Sequence, residues 1–161
     1  MPLRGPAGGA PGPPPRSLCA VFGGHVGEGM AERNRRLSEA LYVATTALLV
    51  AHQIDSAFWQ EWKLFGIEGD IQGFVLGNLV LVTPFLYGLT VLVRRPRVGA
   101  WYGLALSASG VLAFGIHSWF LAQGRQEFRV PASIGVLVAA LITSLGLAWQ
   151  SIKGLQGPPE E

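Results

Sequence analysis

The sequence predicts an all-α fold: a four-helix transmembrane bundle with both termini in the cytoplasm. Three observations predict it. Half of the 161 residues are hydrophobic and only 14% are charged, a balance too apolar for an ordinary soluble domain of this length. The apolar residues gather into four runs, at about 37–54, 71–93, 98–121 and 131–152, each near the roughly 20 residues that a helix needs to cross a bilayer. The basic residues flanking these runs alternate between rich and poor from one connection to the next.

Residues 1–29 precede the first run and read as a disordered tail. Their Gly8-Gly9-Ala10-Pro11-Gly12-Pro13-Pro14-Pro15 stretch cannot bury enough apolar surface to offset chain entropy. The tail also reads as a non-native upstream extension, because Met30 followed by Ala31-Glu32-Arg33-Asn34-Arg35-Arg36 is a suitable start for a membrane protein. The run at 37–54 is short for a span and reaches full length by continuing into the Phe58, Trp59 and Trp62 aromatic belt. Its alternative reading is a cleaved signal peptide with a basic n-region. The run at 71–93 carries no charge, a Gly73/Gly77 pair suited to close helix approach in a homodimer, and Thr83-Pro84, which predicts a kink. Asp70 and Gln72 are expected to cap it. The third run, 98–121, holds His117 near its end. The fourth, 131–152, opens on Pro131, suited to a first helical turn, and is followed by Gly154, Pro158 and Pro159 in a flexible tail, 154–161.

Arg33, Arg35, Arg36, Arg94, Arg95, Arg97 and Lys153 fall on one side of the four runs, against Lys63, Arg125 and Arg129 on the other. The basic side is cytoplasmic, which puts the connections at 55–70 and 122–130 outside. The net charge of +2 gives no broad basic footprint, so nucleic acid is not an expected partner. Cys19 is the single cysteine, so no disulfide framework, zinc finger or CxxC redox pair exists within one chain.

The candidate polar site is His52, Asp55, Asn78 and His117. His52 and Asp55 are one helical turn apart and share a face. The carboxylate can accept the imidazole N–H, or both can bind one metal, or the pair simply orients a helix end at the interface. Glu61 points roughly opposite while the helix continues, and joins His52 only if the chain turns first. Gly103, Gly110 and His117 recur every seven residues, so a glycine face directs His117 toward the bundle, where a bond to a neighbouring backbone is the alternative role. In the predicted topology all four polar residues lie at the outer-leaflet level, and His52, Asp55 and His117 match a two-histidine, one-carboxylate set for a divalent metal.

His52-x-x-Asp55 followed by Glu61-Trp62-Lys63-Leu64-Phe65 resembles the signature of uncharacterised bacterial families of small four-helix integral membrane proteins, one of them named for an HXXEE-type motif. A related domain of unknown function with an HxxD signature fits these residues. The resemblance implies four helices in the inner (plasma) membrane and carries no activity. Three function classes follow: a membrane protein of unknown process with a polar or metal site near the outer face, a structural or accessory subunit whose polar residues lock helices, and a small transporter. No carboxylate lies deep in any run, which ranks transport last. The lipid bilayer is the expected partner in all three.

Topology is directly measurable. Cysteine labelling or reporter fusions at Lys63 and Arg125 should report the outside and at Arg95 the inside, and a cytoplasmic Lys63 overturns the orientation.

Overall fold

Each apolar run forms one helix. The structure, a computed structural model, describes residues 18–66, 68–124 and 130–156, with side chains from residue 29 onward. Helix α1 spans Leu18–Phe58, α2 Asp70–Arg94, α3 Pro96–Ala122 and α4 Pro131–Gln156. A single turn of 3-10 helix, Glu61–Lys63, lies between α1 and α2. Each of the four helices is long and apolar enough to cross a membrane, α1 doing so over Gly29–Phe58. The chain is therefore a small multi-pass membrane protein.

The chain divides into two compact units, Met1–Arg33 and Asn34–Glu161. In the first, the residues from Leu18 on are helical, although residues up to 29 were expected to be disordered. No proline falls between 18 and 58, so nothing there forbids the backbone ladder. Residues 1–17 and 157–161, the rest of the two expected tails, lie outside the described residues. Gly154 does not stop α4, which runs on to Gln156.

Within the second unit small and polar residues share the interior with a few large apolar ones, and many large apolar residues face outward. On α3, Gly99, Ala100, Gly103, Leu106, Ser107, Gly110 and His117 are buried. On α4 the buried positions are Ser133, Leu137, Ala140, Ser144, Leu147 and Ser151. Gly103 lies against Ser151 and Gly110 against Ser144, so two serines occupy the space that side chains on α3 would fill. Val80, Trp101, Leu112, Trp119 and Trp149 are meanwhile exposed. In hydrocarbon, large apolar residues gain nothing by turning inward, and close backbone approach drives association instead.

α3 packs against both α4 and α2. Helix α1 is fixed to the others by its inner face. The buried Tyr42 hydroxyl donates to the Phe85 carbonyl of α2 at 2.9 Å, Gly146 of α4 sits against Leu41, and Tyr42, Leu49, Leu92, Leu106 and Leu147 form the apolar core. Pro84 lies inside α2, which continues past it to Arg94. The Thr83 hydroxyl donates to the Leu79 carbonyl at 2.7 Å in that stretch. The start of α2 differs from the capping expected of Asp70 and Gln72. Gly69, at φ 87°, is the N-cap, and no side chain bonds the free N–H groups; Asp70 instead contributes its charge to the first turn.

Between α2 and α3 only Arg95 is non-helical, at φ −140° and ψ 79°. Proline at 96 excludes a helical conformation for its predecessor and opens α3. The hairpin closes so tightly that a Cβ on Gly99 would collide with the Leu92 backbone.

Two classes of glycine follow. Gly99→Ala should cost about 1–3 kcal/mol, because backbone rather than a rotatable side chain must yield. Gly115→Ala and Gly135→Ala, where nothing stands within 4 Å, should be neutral or gain up to about 1 kcal/mol of helix propensity. Thermal unfolding of the three variants in detergent checks the contrast.

Candidate functional site

A helix continuing beyond Phe58 would turn Glu61 away from His52. The chain does not continue. Gln60 adopts a left-handed conformation, φ 55° and ψ 40°, which ends α1 and reverses the direction of the backbone. Such a conformation costs a non-glycine residue about 1–3 kcal/mol and persists only when its surroundings enforce it. Here Trp62 is buried with its ring 5.5 Å from that of Phe74 on α2, and Phe65 meets Phe120 of α3 at 5.8 Å. Outside the bundle, Lys63 Nζ donates to Gln60 Oε1 at 2.6 Å. These contacts press the connection onto the helix ends and drive the Glu61 carboxylate into the interior.

Glu61 is only 2% exposed, and His52 and His117 are 5% and 4% exposed. The two imidazoles meet edge to face with centroids 4.6 Å apart. His117 Nε2 lies 3.1 Å from Glu61 Oε1, and its Nδ1 lies 2.9 Å from the Ala113 carbonyl one turn earlier in α3. A carbonyl can only accept, so Nδ1 carries a hydrogen; Nε2 faces Glu61 and the site, donating to the carboxylate when it too is protonated and offering its lone pair when it is not. One donor atom from each of His52, Glu61 and His117 lies within 4.8 Å of the others, a spacing that a single metal ion can bridge. Burial alone would raise the Glu61 pKa. Hydrogen bonds from His117 and Ser56, with the charge of the nearby imidazoles, more than offset this and hold the carboxyl below its ordinary range.

The structure thus brings His52 and His117 together from α1 and α3. Asp55 is half-buried one turn beyond His52 and stands outside the three-residue group, in which the carboxylate is that of Glu61 and not the expected Asp55. Asn78 is half-buried on α2, its Nδ2 donating to the Phe74 carbonyl of its own helix at 2.9 Å, while its buried Oδ1 has no protein partner. Ser56 is a further residue that the sequence reading left in the background. It shares the inner face of α1 with His52, four residues before it, and bonds Glu61.

The group opens onto a cavity of about 230 Å³ between α1, α2 and α3. Leu49, Phe74, Phe85 and Leu106 line its apolar part, and His52, Ser56, Glu61 and His117 line its polar end.

A carboxyl whose pKa falls on folding stabilises the fold above its unfolded pKa. That contribution shrinks as pH drops through the ordinary carboxylate range and is gone below the folded value. At neutral pH Glu61→Gln should therefore cost about 1–3 kcal/mol. The gap between wild type and variant should close on acidification, as read by thermal unfolding at a series of pH values.

A family profile matches residues 38–154. No curated protein and no solved structure matches the chain. The matched segment takes in most of the four-helix unit and every residue of the His52, Glu61 and His117 group, and the chain belongs to the family of unknown function DUF6713.

Proposed function

We propose that the protein is a metal-binding membrane protein whose working centre is His52, Glu61 and His117. The observation that carries this reading is the convergence of these three buried donor atoms within 4.8 Å, contributed by α1, the connection and α3. In a tetrahedral site with bonds of about 2.0–2.2 Å, ligand atoms sit about 3.3–3.6 Å apart. The 3.1 Å between His117 Nε2 and Glu61 Oε1 is close to that edge. The Ala113 carbonyl on Nδ1 fixes the His117 tautomer and ring direction, and Ser56 orients the carboxylate, the outer supports that metal ligands ordinarily have. Two imidazoles and one carboxylate leave further positions open. A divalent ion there acts as a Lewis acid on an oxygen or lowers the pKa of a bound water.

The orientation that accompanies this reading has both termini in the cytoplasm and the centre at the outer-leaflet level of a bacterial inner membrane. The Lys/Arg asymmetry supports it. A second reading is a structural subunit without chemistry, favoured by the 3.1 Å contact that His117 Nε2 and Glu61 Oε1 already make with each other. In that case the cluster serves only to hold the connection against the bundle.

Elemental analysis of detergent-purified protein separates the two. Wild type should carry about one divalent ion per chain, with chelator lowering its unfolding temperature. His52→Ala and His117→Ala should each bind none and ignore chelator, and the double variant should add little to either loss. Metal-free wild type that remains metal-free after exposure to zinc and ferrous iron, with unchanged unfolding, leaves the structural subunit as the reading.

A further inference from the structure

The cavity beside the cluster has two unlike ends. Its walls are Leu49 of α1, Phe74 and Phe85 of α2, and Leu106 of α3. Its apolar end abuts the core around Tyr42, where Phe85 and Leu106 pack and where the Tyr42 hydroxyl is already committed to the Phe85 carbonyl. Toward the other end stand the three buried polar side chains. Val50, Leu81 and Leu112 also line it and are exposed on the surface that faces lipid, so the cavity opens sideways into hydrocarbon. At about 230 Å³ it exceeds the roughly 150 Å³ of an apolar cavity that admits a benzene ring. From Leu106 to His117 it extends about 16 Å along α3 at 1.5 Å per residue.

A long slot, mainly apolar at one end and polar at the other, with a lateral opening, fits a ligand of the same asymmetry. We infer that the protein takes up a single-chain amphiphile from the bilayer, its hydrocarbon between α1, α2 and α3 and its oxygen-bearing head at the His52, Glu61 and His117 end. This rests on reading that cluster as the polar centre of the protein and adds the class of molecule it serves. A carboxylate head meets both forms of the site: it ligates a metal held by the cluster, or it accepts a hydrogen bond from His52, the imidazole that is not committed to Glu61 and the Ala113 carbonyl. The sideways opening spares the chain any passage through water, and the narrow slot selects one chain over a two-chain phospholipid.

The test uses the full-length protein in phosphatidylcholine vesicles with a photoreactive fatty acid as probe. Labelling should concentrate on Leu49, Phe85 and Leu106, saturate, and be displaced by unlabelled lauric acid. Ser109→Phe on α3 and Val82→Phe on α2 fill the slot from opposite walls, and each should lower the saturable labelling about tenfold, equivalent to about 1.4 kcal/mol. Both should unfold in detergent at close to the wild-type temperature, which shows that they fold whether or not the protein binds a metal. His52→Ala should lose metal while the chain still labels the apolar wall. Saturable, displaceable labelling in a protein that binds no metal supports the amphiphile site while removing the metal reading. Labelling spread evenly over outer residues such as Val80 and Trp101, without saturation, reflects ordinary bilayer solvation and overturns the proposal, whatever the metal content.

Discussion

A buried carboxylate survives only where its charge is answered, and the arrangement at the top of this bundle follows from that constraint. Glu61 is buried, so His117, Ser56 and the neighbouring His52 answer its charge from where they stand. That requirement reaches outward. It demands that the chain reverse at Gln60, that Trp62 and Phe65 hold the reversed segment down, and that α3 present His117 at matching depth. It reaches inward as well, since the Ala113 carbonyl must fix the ring before Nε2 can face the acid.

The four helices were legible because membrane spans announce themselves by length and hydropathy, and the glycine face of α3 was legible because a seven-residue spacing fixes a helical face whatever surrounds it. His52 and His117 could be brought together from depth and facing alone. Glu61 could not. Its place depends on one left-handed residue, and Gln60 is neither the glycine nor the asparagine that usually marks such a turn. The sequence placed Glu61 correctly for an unbroken helix and named the condition under which it would swing inward, but nothing in the residue types said that the condition is met. Asp55 drew attention instead because an i, i+3 pair is visible without any tertiary knowledge. The start of α2 was misjudged for a similar local reason: Asp70 is a good cap by type, yet Gly69 before it takes the left-handed conformation that begins the helix.

The two sides of α3 divide the labour of the bundle. Toward α4 it offers Gly103 and Gly110, whose missing side chains let Ser151 and Ser144 come close and leave no room for anything else. Toward α1 and α2 it offers Leu106, Ser109, Ala113 and Ile116, which alternate in size and leave a cavity that the opposite walls do not fill. A rigid seam on one side supplies the support that lets the other side stay open, so the cavity can exist without the bundle collapsing into it. The buried serines on α4 carry this cost: among the described residues Ser144 Oγ, set against Gly110, has no hydrogen-bond partner.

The single residue between α2 and α3 bears on how this chain can change over evolutionary time. With Arg95 alone outside helix and Gly99 pressed on Leu92, the hairpin has no slack to absorb a change in length. One residue added there and taken into the first turn of α3 would shift the rest of the helix by about 1.5 Å and about 100° relative to the sequence, carrying His117 away from Glu61 and turning Gly110 out of the seam with α4. Insertions and deletions should therefore be purged at this corner while the connection from 122 to 130, which positions none of the three donor residues, is free to vary in length. Two loops of the same bundle would then drift at very different rates, and the slow one would be the loop farthest from the chemistry.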